Sequence, residues 1–113
     1  MDQRLTGDER LTRQKEIDDC YRKGRRISGS LLRVHVRPNE RAFSRLAISI
    51  PGRVVRKSVQ RSRWKRLIRE AFRLNKESIV AGMDIVAVPT RVPGDLTRQD
   101  VEAALIALIG RRR

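Results

Sequence analysis

Between residues 58 and 75, Trp64, Leu67, Ile68, Ala71 and Phe72 recur at i, i+3, i+4, i+7 and i+8. This stretch constrains the fold most. The spacing places all five on one stripe of an α-helix, and that stripe must be buried against another element. A covering surface is available on either side in sequence. Residues 31–37 alternate, with Leu32, Val34 and Val36 on one face and Arg33, His35 and Arg37 on the other. Residues 43–50 repeat the pattern: Leu46, Ile48 and Ile50 oppose Arg45, Ala47 and Ser49. Period-two alternation of this kind is that of a half-buried strand. Residues 83–88 are nearly all apolar and end at Pro89, which fits a strand buried on both faces.

The remaining elements follow from shorter signals. Ile17, Cys20 and Tyr21 at i, i+3, i+4 predict a short helix over 12–23, stopped by Gly24. Residues 25–30 read as a loop, with Gly29 as a breaker. Pro38-Asn39 marks a turn. The strands at 31–37 and 43–50 are then expected to pair as a hairpin, with residues 53–57 as a short third strand. Ser58 is the candidate N-cap of the long helix. Gly82 separates that helix from the apolar strand. Thr97 and Asp100 form a capping-box pattern before a last helix carrying Val101, Ala104, Leu105 and Leu108, which stops near Gly110. The expected fold is α+β, in the order α-β-β-β-α-β-α, with a sheet of about four strands and helices mainly on one face. A length of 113 residues fits one domain over 1–113, with flexible ends at 1–9 and 111–113.

Charge narrows the function. Twenty-seven Lys and Arg against thirteen Asp and Glu give a net +14. Such an excess repels itself unless an anion is near, and the usual anions are nucleic acids and acidic membranes. Arg far outnumbers Lys. Guanidinium forks suit phosphate and base stacking, which favours nucleic acid over a membrane surface. No apolar run approaches the roughly 20 residues needed to span a bilayer. The first ten residues hold no apolar stretch of a signal peptide, and the lone Cys20 excludes an internal disulfide. A cytoplasmic location is expected, and Cys20 reads as a small core residue.

The cations concentrate on the long helix. Arg61, Lys65, Arg69 and Arg73 form a stripe beside the apolar face, with Arg66 outside it and Arg63 near its far border. A solvated charged face is the ordinary meaning of such a run. Two features argue otherwise. Glu70 is the only acid in the segment, so i,i+4 ion pairs do not balance it. Arg61, Arg63 and Lys65 also sit in the first two turns, where the helix dipole opposes each exposed cation by roughly 0.3–1 kcal/mol. A phosphate reverses both penalties.

The run Arg61-Ser62-Arg63-Trp64-Lys65-Arg66-Leu67-Ile68-Arg69-Glu70 resembles the signature of the bacterial ribonuclease P protein. That family carries Arg-Asn-Arg, any residue, Lys-Arg, two residues, then Arg-Glu or Arg-Gln. Arg10-Leu11 before the first helix, Arg45-Leu46-Ala47-Ile48-Ser49-Ile50 and Asp84-Ile85-Val86 resemble its flanking segments, so the likeness spans about residues 10–109. Ser62 replaces the family's middle Asn, Ile17 a usual Phe and Ala47 a common Gly; the turn at 51–57 lacks the Gly usual before the helix.

The resemblance implies an α/β sandwich with a left-handed βαβ crossover around the basic helix. It also implies an RNA-binding surface at Arg61, Ser62, Arg63, Lys65, Arg66, Arg69 and Arg73 facing a catalytic RNA subunit. A separate cleft for the 5′ leader of precursor tRNA is implied at Ile17, Tyr21, Arg33, His35 and Lys57. Aromatics beside cations suit single-stranded nucleic acid, through stacking and neutralisation. Tyr21 fits a half-buried core residue equally well, and His35 an exposed strand residue. Trp64 reads as core.

The chain shows no catalytic set of its own. It has one histidine, and neither the neighbours Asp8-Glu9 nor Asp18-Asp19 share a helix face. No Cys/His metal spacing exists. The resemblance assigns the chemistry to the RNA with Mg²⁺, held mainly by that RNA. The expected partners are that RNA and precursor tRNA, bound by a monomer, with no DNA and no membrane. A ribosomal or other structural RNA-binding protein is the alternative. A DNA-binding regulator comes third, and no helix-turn-helix supports it.

Overall fold

The computed structural model describes residues 7–111. Its helices are α1 (Gln14–Lys23), α2 (Ser58–Leu74) and α3 (Arg98–Ile109), and its strands β1 (Arg25–Ser28), β2 (Leu32–Pro38), β3 (Arg45–Ile48) and β4 (Met83–Pro89). The strands form one sheet in the order β1-β2-β4-β3. β1 with β2 and β2 with β4 are antiparallel, whereas β3 and β4 are parallel and joined through α2. The register sets Val34 beside Ala87 and Leu46 beside Ile85.

The sheet separates two cores. On one face Leu32, Val34, Val36, Leu46 and Ile85 meet the α2 stripe of Trp64, Leu67, Ile68, Ala71 and Phe72, with Val101 and Leu105 of α3. Burial of each Val, Leu, Ile or Phe among them contributes about 1.5–3 kcal/mol. On the other face Cys20 and Ile17 of α1 meet Val86, Val88, Ala47 and Leu11. The expected placement of helices mainly on one face thus describes α2 and α3, and α1 covers the opposite side. Trp64 is core, as read from its spacing. Its indole N–H is buried with no hydrogen-bond partner among the described residues, a cost of about 1–3 kcal/mol.

Four local expectations are corrected. Residues 25–28, read as loop, form edge strand β1; only Ile27 among them packs on the core, so no alternating signal betrays it. The hairpin expected between 31–37 and 43–50 does not form, because β4 lies between those strands. β4 is buried along nearly its whole length, and such a strand belongs in the middle of a sheet. Residues 53–57 are a turn rather than a strand. The Val54 and Val55 amides donate to the Pro51 carbonyl, and Val55 plugs the core. The α2 N-cap is Lys57 with no side-chain bond, and Ser58 is already helical.

Other signals hold. Thr97 and Asp100 make a reciprocal capping box, and Gly110 caps α3. Gly82 has φ +74° before β4, a conformation open to glycine. Of the flexible ends expected at 1–9 and 111–113, residues 1–6 and 112–113 lie outside the described residues. Gly7–Glu9 form a 3-10 turn, Glu9 pairs with Lys76, and Arg111 donates to the Ser78 and Ile79 carbonyls.

Candidate nucleic-acid interface

The apolar stripe of α2 fixes how the helix lies, and so where its cations point. Ser62, Arg63, Lys65, Arg66 and Arg69 are exposed, and Arg61 and Arg73 are half-buried. The expected lack of partners needs one correction. The Arg61 guanidinium donates to the Val55 and Arg56 carbonyls, and Arg63 donates to the Leu96 carbonyl. Both are thereby tied to neighbouring loops. Among the described residues, no ion pair engages Lys65, Arg66, Arg69 or Arg73. Four cations of one helix thus stand outside any ion pair among the described residues.

On the other side of the sheet, α1 and β2 bring Tyr21 and His35 together. Their ring centroids lie 4.5 Å apart, tilted by 55°. Tyr21 is 39% exposed, so its ring is open to solvent on one side. His35 is buried beneath it rather than exposed. Its Nε2 accepts from Arg33 Nε at 3.2 Å, which fixes a neutral ring. Burial lowers the His35 pKa, and the nearby charges of Arg33 and Arg26 lower it further. Lys57 is exposed at the α2 N-cap, and nothing described links it to the Tyr21–His35 pair.

The two surfaces meet at the β3 edge. A cavity of about 350 Å³ is lined by apolar Leu11, Ile17, Leu46 and Ile48 and by the cations Arg10, Lys65 and Arg69. Ile17 of the α1 cleft and Lys65 and Arg69 of the α2 stripe therefore share one concavity. An apolar wall beside cations suits a base and its phosphate.

The Ribonuclease P family model matches residues 5–113 of this chain. The ribonuclease P protein component of Clostridium botulinum (strain Langeland) is 37% identical over 101 residues, covering 88% of this chain and 90% of that protein. The chain belongs to the ribonuclease P protein family. Solved structures of ribonuclease P proteins have the same fold. A Staphylococcus aureus mutant with defective mRNA degradation activity has TM-score 0.78 at 25% identity, over 89% of this chain and 85% of that one. The Thermotoga maritima protein has TM-score 0.74 at 29% identity, over 90% and 99%.

As a ribonuclease P protein, the chain is a component of tRNA processing that works within a ribonucleoprotein. Two of its features escaped the sequence. Arg10 enters the shared cavity because the segment before α1 runs beside β3, with the Leu11 amide donating to the Leu46 carbonyl. Arg45 is buried and bound to Asp84 and Glu16. One signal was available for it: a charge in each of two otherwise apolar strands implies that the two are paired.

Proposed function

We propose that this ribonuclease P protein grips the catalytic RNA subunit with the α2 cations and holds the 5′ leader of precursor tRNA in the cleft between α1 and the sheet. In this way it assists endonucleolytic removal of the leader. The observation that carries the reading is the cavity where Ile17, Lys65 and Arg69 converge. A strand entering past Tyr21 reaches cations that also belong to the subunit-facing helix. Substrate and catalytic RNA are thereby drawn to one edge of the protein.

The chain's own part is to bind and orient. Tyr21 offers a ring to stack on, Arg33 a guanidinium, and Lys65 and Arg69 neutralise phosphates. Mg²⁺ bound to the RNA partner supplies charge neutralisation and Lewis acidity at the scissile phosphate. Glu16 and Asp84 are both engaged by Arg45.

The test separates the two surfaces. Arg66 lies outside the shared cavity, so Arg66→Glu should weaken binding of the RNA subunit. Tyr21→Ala and Arg33→Ala should instead weaken precursor tRNA more than mature tRNA, measured with the assembled holoenzyme. Equal loss of precursor and mature tRNA in both cleft variants would remove the leader from the cleft.

A further inference from the structure

The first helix is held to the sheet by charge as well as by apolar contact. Its apolar share is Cys20, with Ile17 half-buried. Beside them lies a network of ions. Arg45 on β3 is 8% exposed and donates to both oxygens of Asp84 on β4, at 2.8 and 2.7 Å. Its Nη2 also donates to Glu16 on α1 at 2.8 Å. Asn39 donates to the same Asp84 carboxylate at 3.0 Å. One turn along α1, Asp19 meets Arg37 of β2 at 3.1 Å. Charge-assisted forks of this kind are short and directional, so they fix position as well as contribute energy.

Glu16 stands immediately before Ile17, and Tyr21 follows Ile17 by four residues, on the same side of the helix. The hold on Glu16, together with Asp19–Arg37 and the buried Cys20, therefore sets the lie of the helix that carries both cleft residues. We propose that Arg45 is a positioning residue for the leader cleft: braced by Asp84, it holds Glu16 and so sets Tyr21 over His35. Arg45 does not itself bind RNA, since both ends of its fork are engaged within the protein. This inference rests on the leader reading of the cleft.

Arg45→Ala leaves Asp84 buried and unpaired, which threatens the fold itself. Glu16 is the cleaner handle. Glu16→Ala cuts the link, whereas Glu16→Gln makes the same charge change but still accepts a hydrogen bond from Arg45. Trp64, the only tryptophan, sits in the opposite core and reports whether the fold survives. In Glu16→Ala, the NMR contact between the Tyr21 and His35 rings should be lost. The holoenzyme's preference for precursor over mature tRNA should fall to the level of Tyr21→Ala, with Trp64 emission unchanged. Glu16→Gln should retain both. Glu16→Asp, too short to reach Arg45, carries the same comparison if Glu16→Ala unfolds. If Tyr21→Ala leaves the preference intact, the leader reading fails and the ring contact alone decides. The proposal is overturned if Glu16→Ala keeps the ring contact, or if Glu16→Ala and Glu16→Gln lose the contact and preference equally.

Discussion

His35 alternates in sequence with the exposed-looking Arg33 and Arg37, yet it is buried because α1 lies over that face of the sheet. No local pattern announces a helix crossing from 14 residues upstream in the chain. The consequence is a titration. Burial, then Arg33 and Arg26, hold the His35 pKa below its ordinary 6.5. The unfolded chain therefore takes up this proton first as the pH falls. The stability tied to neutral His35 is complete above pH 6.5 and is lost as the pH drops from there through the folded-state value. Between about pH 7.5 and about pH 5.5, the melting temperature of the native protein should fall further than that of His35→Gln. Parallel slopes for the two proteins would rule this out. Cys20 behaves as its small size and spacing suggest. Burial first, then the Asp84 charge, push its thiol up to about 11, so it is protonated at neutral pH.

Elements were legible where a signal lies within the element. The 3.6-residue stripe of α2, the capping box of α3 and the apolar run of β4 each survive in the structure. Strand order was not legible, because alternation says which face a residue takes and nothing about which neighbour pairs with it. β1 was missed for a different reason: it is an edge strand with no alternation, held to β2 through the backbone. The cationic side of α2 was legible as chemistry. Its tethering was not: Arg61 turns back to carbonyls of the irregular turn just before the helix, and Arg63 reaches Leu96, 33 residues away. The four cations outside any ion pair among the described residues make a quantitative claim. RNA-subunit affinity should fall with salt, each neutralised phosphate adding roughly −0.7 to −0.9 to the slope of log K against log salt. Arg66→Ala should flatten that slope by about one phosphate while leaving the melting temperature nearly unchanged, as exposed sites do. An unchanged slope would take Arg66 out of the RNA contact.

At the scale of the whole molecule, +14 is the dominant fact. Self-repulsion weakens the compact state, and any anion that binds the folded form offsets it. Sulfate at tens of millimolar should raise the melting temperature above that in chloride of equal ionic strength. Identical melting curves would mean that no anion site exists. On the proposed function, the same field acts on the RNA partners. Bringing precursor tRNA to a catalytic RNA joins two polyanions, and either Mg²⁺ or fixed Arg and Lys can relieve their repulsion. A rigid helix of cations does so without collecting free ions. The direct measurement is the rate of precursor-tRNA cleavage by the cognate RNA subunit across a Mg²⁺ titration, with and without this protein. We expect a large gain at low Mg²⁺ that fades at high Mg²⁺, and no cleavage by the protein without RNA. A gain independent of Mg²⁺, or cleavage by RNA-free protein, would contradict the account.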